Sequence, residues 1–139
     1  MSTILDADRT AAGLIFTGLA QSVEQMRLLS KYDSRMKMHR TKYKELLLAY
    51  QNLHPQVTKF NNEKLTWYYN ALEKYFKVMD SQLTHYQTDP LQSRFKASWE
   101  LETVRNTVFV VDSISSYIEF QVNELKIRIR HLEHSTANQ

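Results

Sequence analysis

Residues 101–132 read LETVRNTVFVVDSISSYIEFQVNELKIRIRHL, and the placing of the apolar side chains in this stretch decides the fold class. Leu101, Val104, Val108, Val111, Ser115, Ile118, Val122, Leu125, Ile129 and Leu132 succeed one another at steps of three and four. A strand would alternate with a period of two. A mean step near 3.5 keeps one side of a helix against a neighbour and winds the pair to the left.

The rhythm recurs upstream. Leu29, Tyr32, Met36, His39, Tyr43, Leu46, Tyr50 and Leu53 form one series, and Leu65, Tyr68, Leu72, Tyr75, Met79, Gln82 and Tyr86 another. Additional apolar positions widen the stripes: Tyr69, Phe76 and Leu83 in the second, Ile114 and Phe120 in the third. A wide stripe touches two neighbours, as a three-helix bundle requires. Met26, Leu29 and Tyr32 are spaced by three and three, a step that curves a coiled coil locally.

Two prolines mark the boundaries. His54-Pro55 disfavours helical geometry at the residue before the ring. Asp89-Pro90-Leu91-Gln92 supplies a capping carboxylate, proline at the first helical position and glutamine at the third. The pattern predicts an all-α fold of three long antiparallel helices, about 5–53, 56–87 and 90–133, in an elongated coiled-coil-like bundle. Residues 1–139 form one domain on this reading, with 135–139 a frayed tail. Only two glycines occur among 139 residues, which leaves little material for turns.

Unequal helix lengths carry the main functional expectation. With short connections, the first helix outruns the second by roughly 15 residues, and the third reaches the level of Pro55 near Val122 and continues beyond it. Each overhang would be on the order of 15–25 Å long. The first carries Leu14, Ile15, Phe16 and Leu19 with Gly13 and Gly18, and the second carries Leu125, Ile127, Ile129 and Leu132. Burying each such side chain is worth about 1.5–3 kcal/mol, so both ends invite cover from a second copy or another helical protein. Close helix packing at Gly13 and Gly18 fits this better than membrane contact, because the neighbouring polar residues are not basic.

Other residue groups have competing readings. Lys31, Arg35, Lys37, Arg40, Lys42 and Lys44 place six cations in 14 residues, opposed only by Asp33. Such a run is usually a solvated face, and its functional alternative is phosphate contact, on an anionic membrane or a nucleic acid. Lys126, Arg128 and Arg130 already complement a helix C-terminus. Eight tyrosines suggest a thick core with hydroxyls reaching its rim, rather than a stacking platform at Trp67, Tyr68 and Tyr69.

The chain has no cysteine, so thiolate chemistry and disulfides are excluded. No Glu-x-x-His, P-loop or dinucleotide-binding glycine pattern stands in it, and His131 and His134 share only a terminal turn. No enzyme activity, cofactor, metal or small-molecule substrate is expected. The acidic first residues and the short apolar run 11–20 predict neither secretion nor a transmembrane helix, hence a cytoplasmic location. The net charge of +3 permits an acidic partner without demanding one.

In architecture alone this plan resembles membrane-curving BAR-type dimers, spectrin-like repeats and the amino-terminal bundles of syntaxins; no sequence motif carries the likeness. The functional expectation is a non-enzymatic structural or adaptor protein, a scaffold that dimerises or joins a larger helical complex. The alternative is a phosphate-surface binder acting through residues 31–44.

Overall fold

The computed structural model describes residues 2–86 and 101–137, and side chains from Val23 to Tyr86 and from Leu101 to Ser135. Helix α1 spans Ser2–Asn52, α2 His54–Phe60, α3 Glu63–Tyr86 and α4 Leu101–Ala137. Among the described residues only Leu53, Asn61 and Asn62 lie outside helices. The molecule is therefore three long helices packed against each other, the first of them bent at Leu53 into α1 and α2, the second α3 and the third α4. The expected Asp89-Pro90 boundary falls outside the described residues. Helix α4 continues to Ala137, past the expected end near residue 133.

The chain reverses at Asn61-Asn62, which corrects the expectation of a second helix over 56–87 beginning at Pro55. Pro55 sits in the first turn of α2, where its missing N–H costs no intrahelical bond, and His54 is itself helical. Asn61 then takes the left-handed conformation at φ 46° and ψ 39°, which ends α2. Asparagine tolerates that region better than other side chains bearing a Cβ. Asn62 restarts the helix: its Oδ1 accepts a hydrogen bond from the Leu65 N–H at 3.0 Å. The Asn61-Asn62 pair was the available signal, one residue suited to leaving a helix and the next to capping one. Asn62→Ala should cost about 1 kcal/mol. A lower urea midpoint at unchanged slope would show it, and an unmoved midpoint would refute the cap.

The inner stripe of α4 is buried as its spacing requires. Val104, Val108, Val111, Ser115, Ile118, Val122, Leu125 and Ile129 are all buried, with Leu101 and Leu132 half-buried at the ends. In α1, Met36, His39 and Tyr50 are buried, as is Leu53 just after it, while Leu29, Tyr32, Tyr43 and Leu46 flank them. In α3 the deepest residues include Tyr69, Phe76 and Leu83, whereas Tyr68, Tyr75 and Gln82 are half-buried. The additional positions are thus the centre of that stripe. Phe120 is 60% exposed and does not widen the inner face of α4.

Between α1 and α3 the core is aromatic. Tyr50 stacks on Tyr69 with ring centroids 4.2 Å apart, and Phe76 tilts against Tyr50 at 4.8 Å. Tyr43 meets Phe76 edge-on at 6.1 Å. The Tyr50 hydroxyl does not reach the rim; it donates to the Tyr69 carbonyl at 2.7 Å. At the far end Tyr86 donates to Asp33 at 2.5 Å. Burial raises both phenols well above the usual tyrosine range, and the Asp33 hydrogen bond raises Tyr86 further. Each therefore stays a neutral donor.

Contacts of α1 and its continuation α2 with α4 ascend together along the helices. Arg35 meets Asp112, Lys42 meets Glu119 two turns later, and Gln56 meets Glu133. Those between α1 and α3 run in opposite order, from Tyr50 with Tyr69 to Asp33 with Tyr86. This register overturns the expected second overhang. Glu133, not a residue near Val122, stands at the level of Pro55, because α4 is displaced along the bundle relative to α3. Its last apolar turns are consequently covered by the chain's own core.

Candidate functional site

The residues expected to associate divide three ways. Leu14, Ile15, Phe16 and Leu19 lie in α1, and their side chains fall outside the described residues. Among the described side chains of α1, Leu29 is the first packed against the core, with Val23 and Met26 exposed upstream of it. Leu125 and Ile129 belong to the core at 2% and 3% exposure, and Leu132 packs against it. Ile127 alone of the second set faces solvent, at 41%.

Ile127 is not isolated. Phe109, Ser113, Ser116, Phe120, Asn123 and Ile127 are all exposed, at steps of four, three, four, three and four. They form a second seam on α4, on the opposite side from the buried one. Phe109 is 59% exposed and Phe120 60%, with Val110 and Tyr117 beside them on the flank. No member of the seam is charged. The two carboxylates on its other flank are already held by α1: Asp112 by Arg35 and His39, Glu119 by Lys42. Sequence reading missed this seam because three of its six members are serine or asparagine. The two phenylalanines, eleven residues apart, were the readable trace, since eleven residues complete three helical turns.

The basic stretch is divided by the fold. Arg35 makes a two-pronged bond to Asp112, Nε to Oδ1 at 3.0 Å and a terminal nitrogen to Oδ2 at 2.9 Å. Lys42 pairs with Glu119, and Arg40 is half-buried beside Tyr86, its Nε without a hydrogen-bond partner among the described residues. Lys31, Lys37 and Lys44 are exposed, with no carboxylate partner among the described residues. Two of the six expected cations, Arg35 and Lys42, thus tie α1 to α4. Downstream, Arg128 lies over the Tyr68 ring at 4.1 Å. Tyr69 is in the core and Trp67 is 64% exposed, so the three adjacent rings share no common face.

His39 is a core histidine. Its Nε2 meets Asp112 Oδ1, and its Nδ1 has no partner among the described residues. A groove between α1 and α3 is lined by Tyr43, Tyr50, Tyr69, Glu73, Phe76 and Asp80. The Tyr50 and Tyr69 ring faces are taken by each other, which closes the floor to a stacking ligand. Among the described residues no group of three His, Cys, Asp or Glu is placed to hold a metal, and no helix is long and apolar enough to cross a membrane.

Compared with known proteins, the chain matches no family model, and no curated protein or solved structure is detectably similar to it.

Proposed function

We propose that the chain is a non-enzymatic structural or adaptor protein that acts by helix–helix association, with a homodimer as its smallest form and larger helical complexes built on it. The observation that carries this reading is the uncharged seam on α4, with Phe109, Phe120 and Ile127 exposed along one side of the helix. Single exposed apolar residues are ordinary; a contiguous row along one helix is a contact surface.

The bundle supports such a role mechanically. The contact orders favour helices running up, down and up as an elongated coiled-coil-like rod, stiff enough to present a face at a fixed angle. Leu14, Ile15, Phe16 and Leu19 stay within the proposal as a further contact at the start of α1, on their sequence pattern alone. A cytoplasmic setting suits a chain with no cysteine.

Sedimentation equilibrium of the full chain across the micromolar range tests the proposal. Its expected result is a species at twice 16.5 kDa or more. A 16.5 kDa monomer throughout that range overturns it.

A further inference from the structure

We infer that the outer seam of α4 is a two-fold seam, on which α4 of a second copy packs in the antiparallel sense with Ile118 level with the axis. The inference rests on the association proposed above and names its surface, its occupant and its register.

Self-complementarity argues for a second copy. In an antiparallel pair centred at residue 118, Phe120 of one copy lies over Ser116 of the other. Phe109 lies over Ile127, and Ser113 over Asn123. Large side chains meet small ones at the centre, apolar meets apolar at the ends, and the amide has a hydroxyl to bond. Large-against-small pairing is what close packing between helices requires.

The parallel arrangement fits worse. It sets Phe120 on Phe120 and Ser116 on Ser116, crowding one level and leaving the next underfilled. It also brings Arg105 to Arg105 and Glu102 to Glu102, where like charges repel. The antiparallel register instead places Glu102 opposite His134 and Arg105 opposite His131, all four exposed on the protomer. No like-charged pair then faces itself.

The exposed area also suits a second copy. Phe109, Val110, Tyr117, Phe120 and Ile127 are 41–60% exposed, leaving on the order of 500 Å² of apolar surface on one helix. Two copies meeting on it, with Val110 and Tyr117 on the flank included, bury about 1,000 Å² before the serines are added, the lower bound for a specific interface. The seam runs about 27 Å from Phe109 to Ile127, some five helical turns. On the flank of Asp112 and Glu119, covering the seam strands no free carboxylate, because both are engaged by α1.

The test uses two kinds of variant of the full chain. Phe120→Asp changes a side chain exposed on the protomer, so helicity by circular dichroism should hold while the dimer weakens at least about 100-fold. The chain has no cysteine of its own, so Ser113→Cys and Asn123→Cys can be mixed under mild oxidation. A disulfide between the two variants, with neither bonding to itself, is the expected result, since bridging needs Cα atoms within about 7 Å. Ser113→Cys bonding to itself overturns the antiparallel register. A wild-type dimer that Phe120→Asp leaves intact, or one in which the mixture forms no bridge, overturns the seam and leaves association by another surface standing. A monomeric wild type overturns both proposals together.

Discussion

Phe76→Ala should lower the stability of the chain by about 3–5 kcal/mol and its Tm by about 10–15 °C. Phe76 is 3% exposed and touches two rings of α1, Tyr50 at 4.8 Å and Tyr43 at 6.1 Å. Its removal loses the transfer energy of a buried phenyl group and also leaves a cavity. Tyr50 cannot swing to fill that cavity without surrendering its stack on Tyr69 and its 2.7 Å hydrogen bond to the Tyr69 carbonyl. Relaxation is therefore restricted, which puts the cost toward the upper end of the range. Urea unfolding followed by circular dichroism measures it directly. A loss under about 1 kcal/mol would mean that the α1–α3 seam repacks freely and that the aromatic account is wrong.

The second large effect falls on Asp112, where α4 is tied to α1. Asp112 is 19% exposed as a side chain and receives both Arg35 and His39. Asp112→Ala leaves a buried imidazole nitrogen and a guanidinium without their acceptor. Stranding a buried polar group costs about 1–3 kcal/mol, and more when charge is involved. Arg35 reaches water at 47% exposure and can recover part of its solvation, so about 2–3 kcal/mol is expected in all. Removing both partners should cost less than removing one. Asp112→Leu combined with His39→Leu should recover a large part of the loss, because apolar groups of similar volume need no partner. If the double variant loses the sum of the two single losses, the pair is not coupled and the polar tie is incidental.

The inner seam of α4 was legible in the sequence because its alternatives are poor: ten positions at three-four spacing admit one helical face. The α3 stripe was half legible. Tyr68 and Tyr69, or Tyr75 and Phe76, are adjacent and equally apolar, so periodicity alone could not say which of each pair is deeper. The reversal at Asn61, six residues past Pro55, was hidden because one left-handed residue barely disturbs an apolar pattern. The displacement of α4 along the bundle could not be read either. Periodicity fixes which side of a helix is buried, while axial register depends on where the chain reverses and on partners such as Asp112 and Glu133, distant from their mates. From that misplaced register came the expected overhang at Leu125 and Ile129. The outer seam escaped because the serines that let two helices approach closely look, one at a time, like ordinary surface.

Pairings between α1 and α4 join residues 77 apart, as with Arg35 and Asp112, whereas Tyr50 and Tyr69 are separated by only 19. Bringing distant segments together costs more chain entropy than closing a short loop. On that ground the aromatic end of the hairpin formed by residues 36–86 is expected to close before α4 docks. Until it does, Arg35 and His39 have no carboxylate waiting for them. On a ribosome the same order holds for a further reason: Asp112 is synthesised after both of the residues it will hold, so final locking waits until α4 has been made.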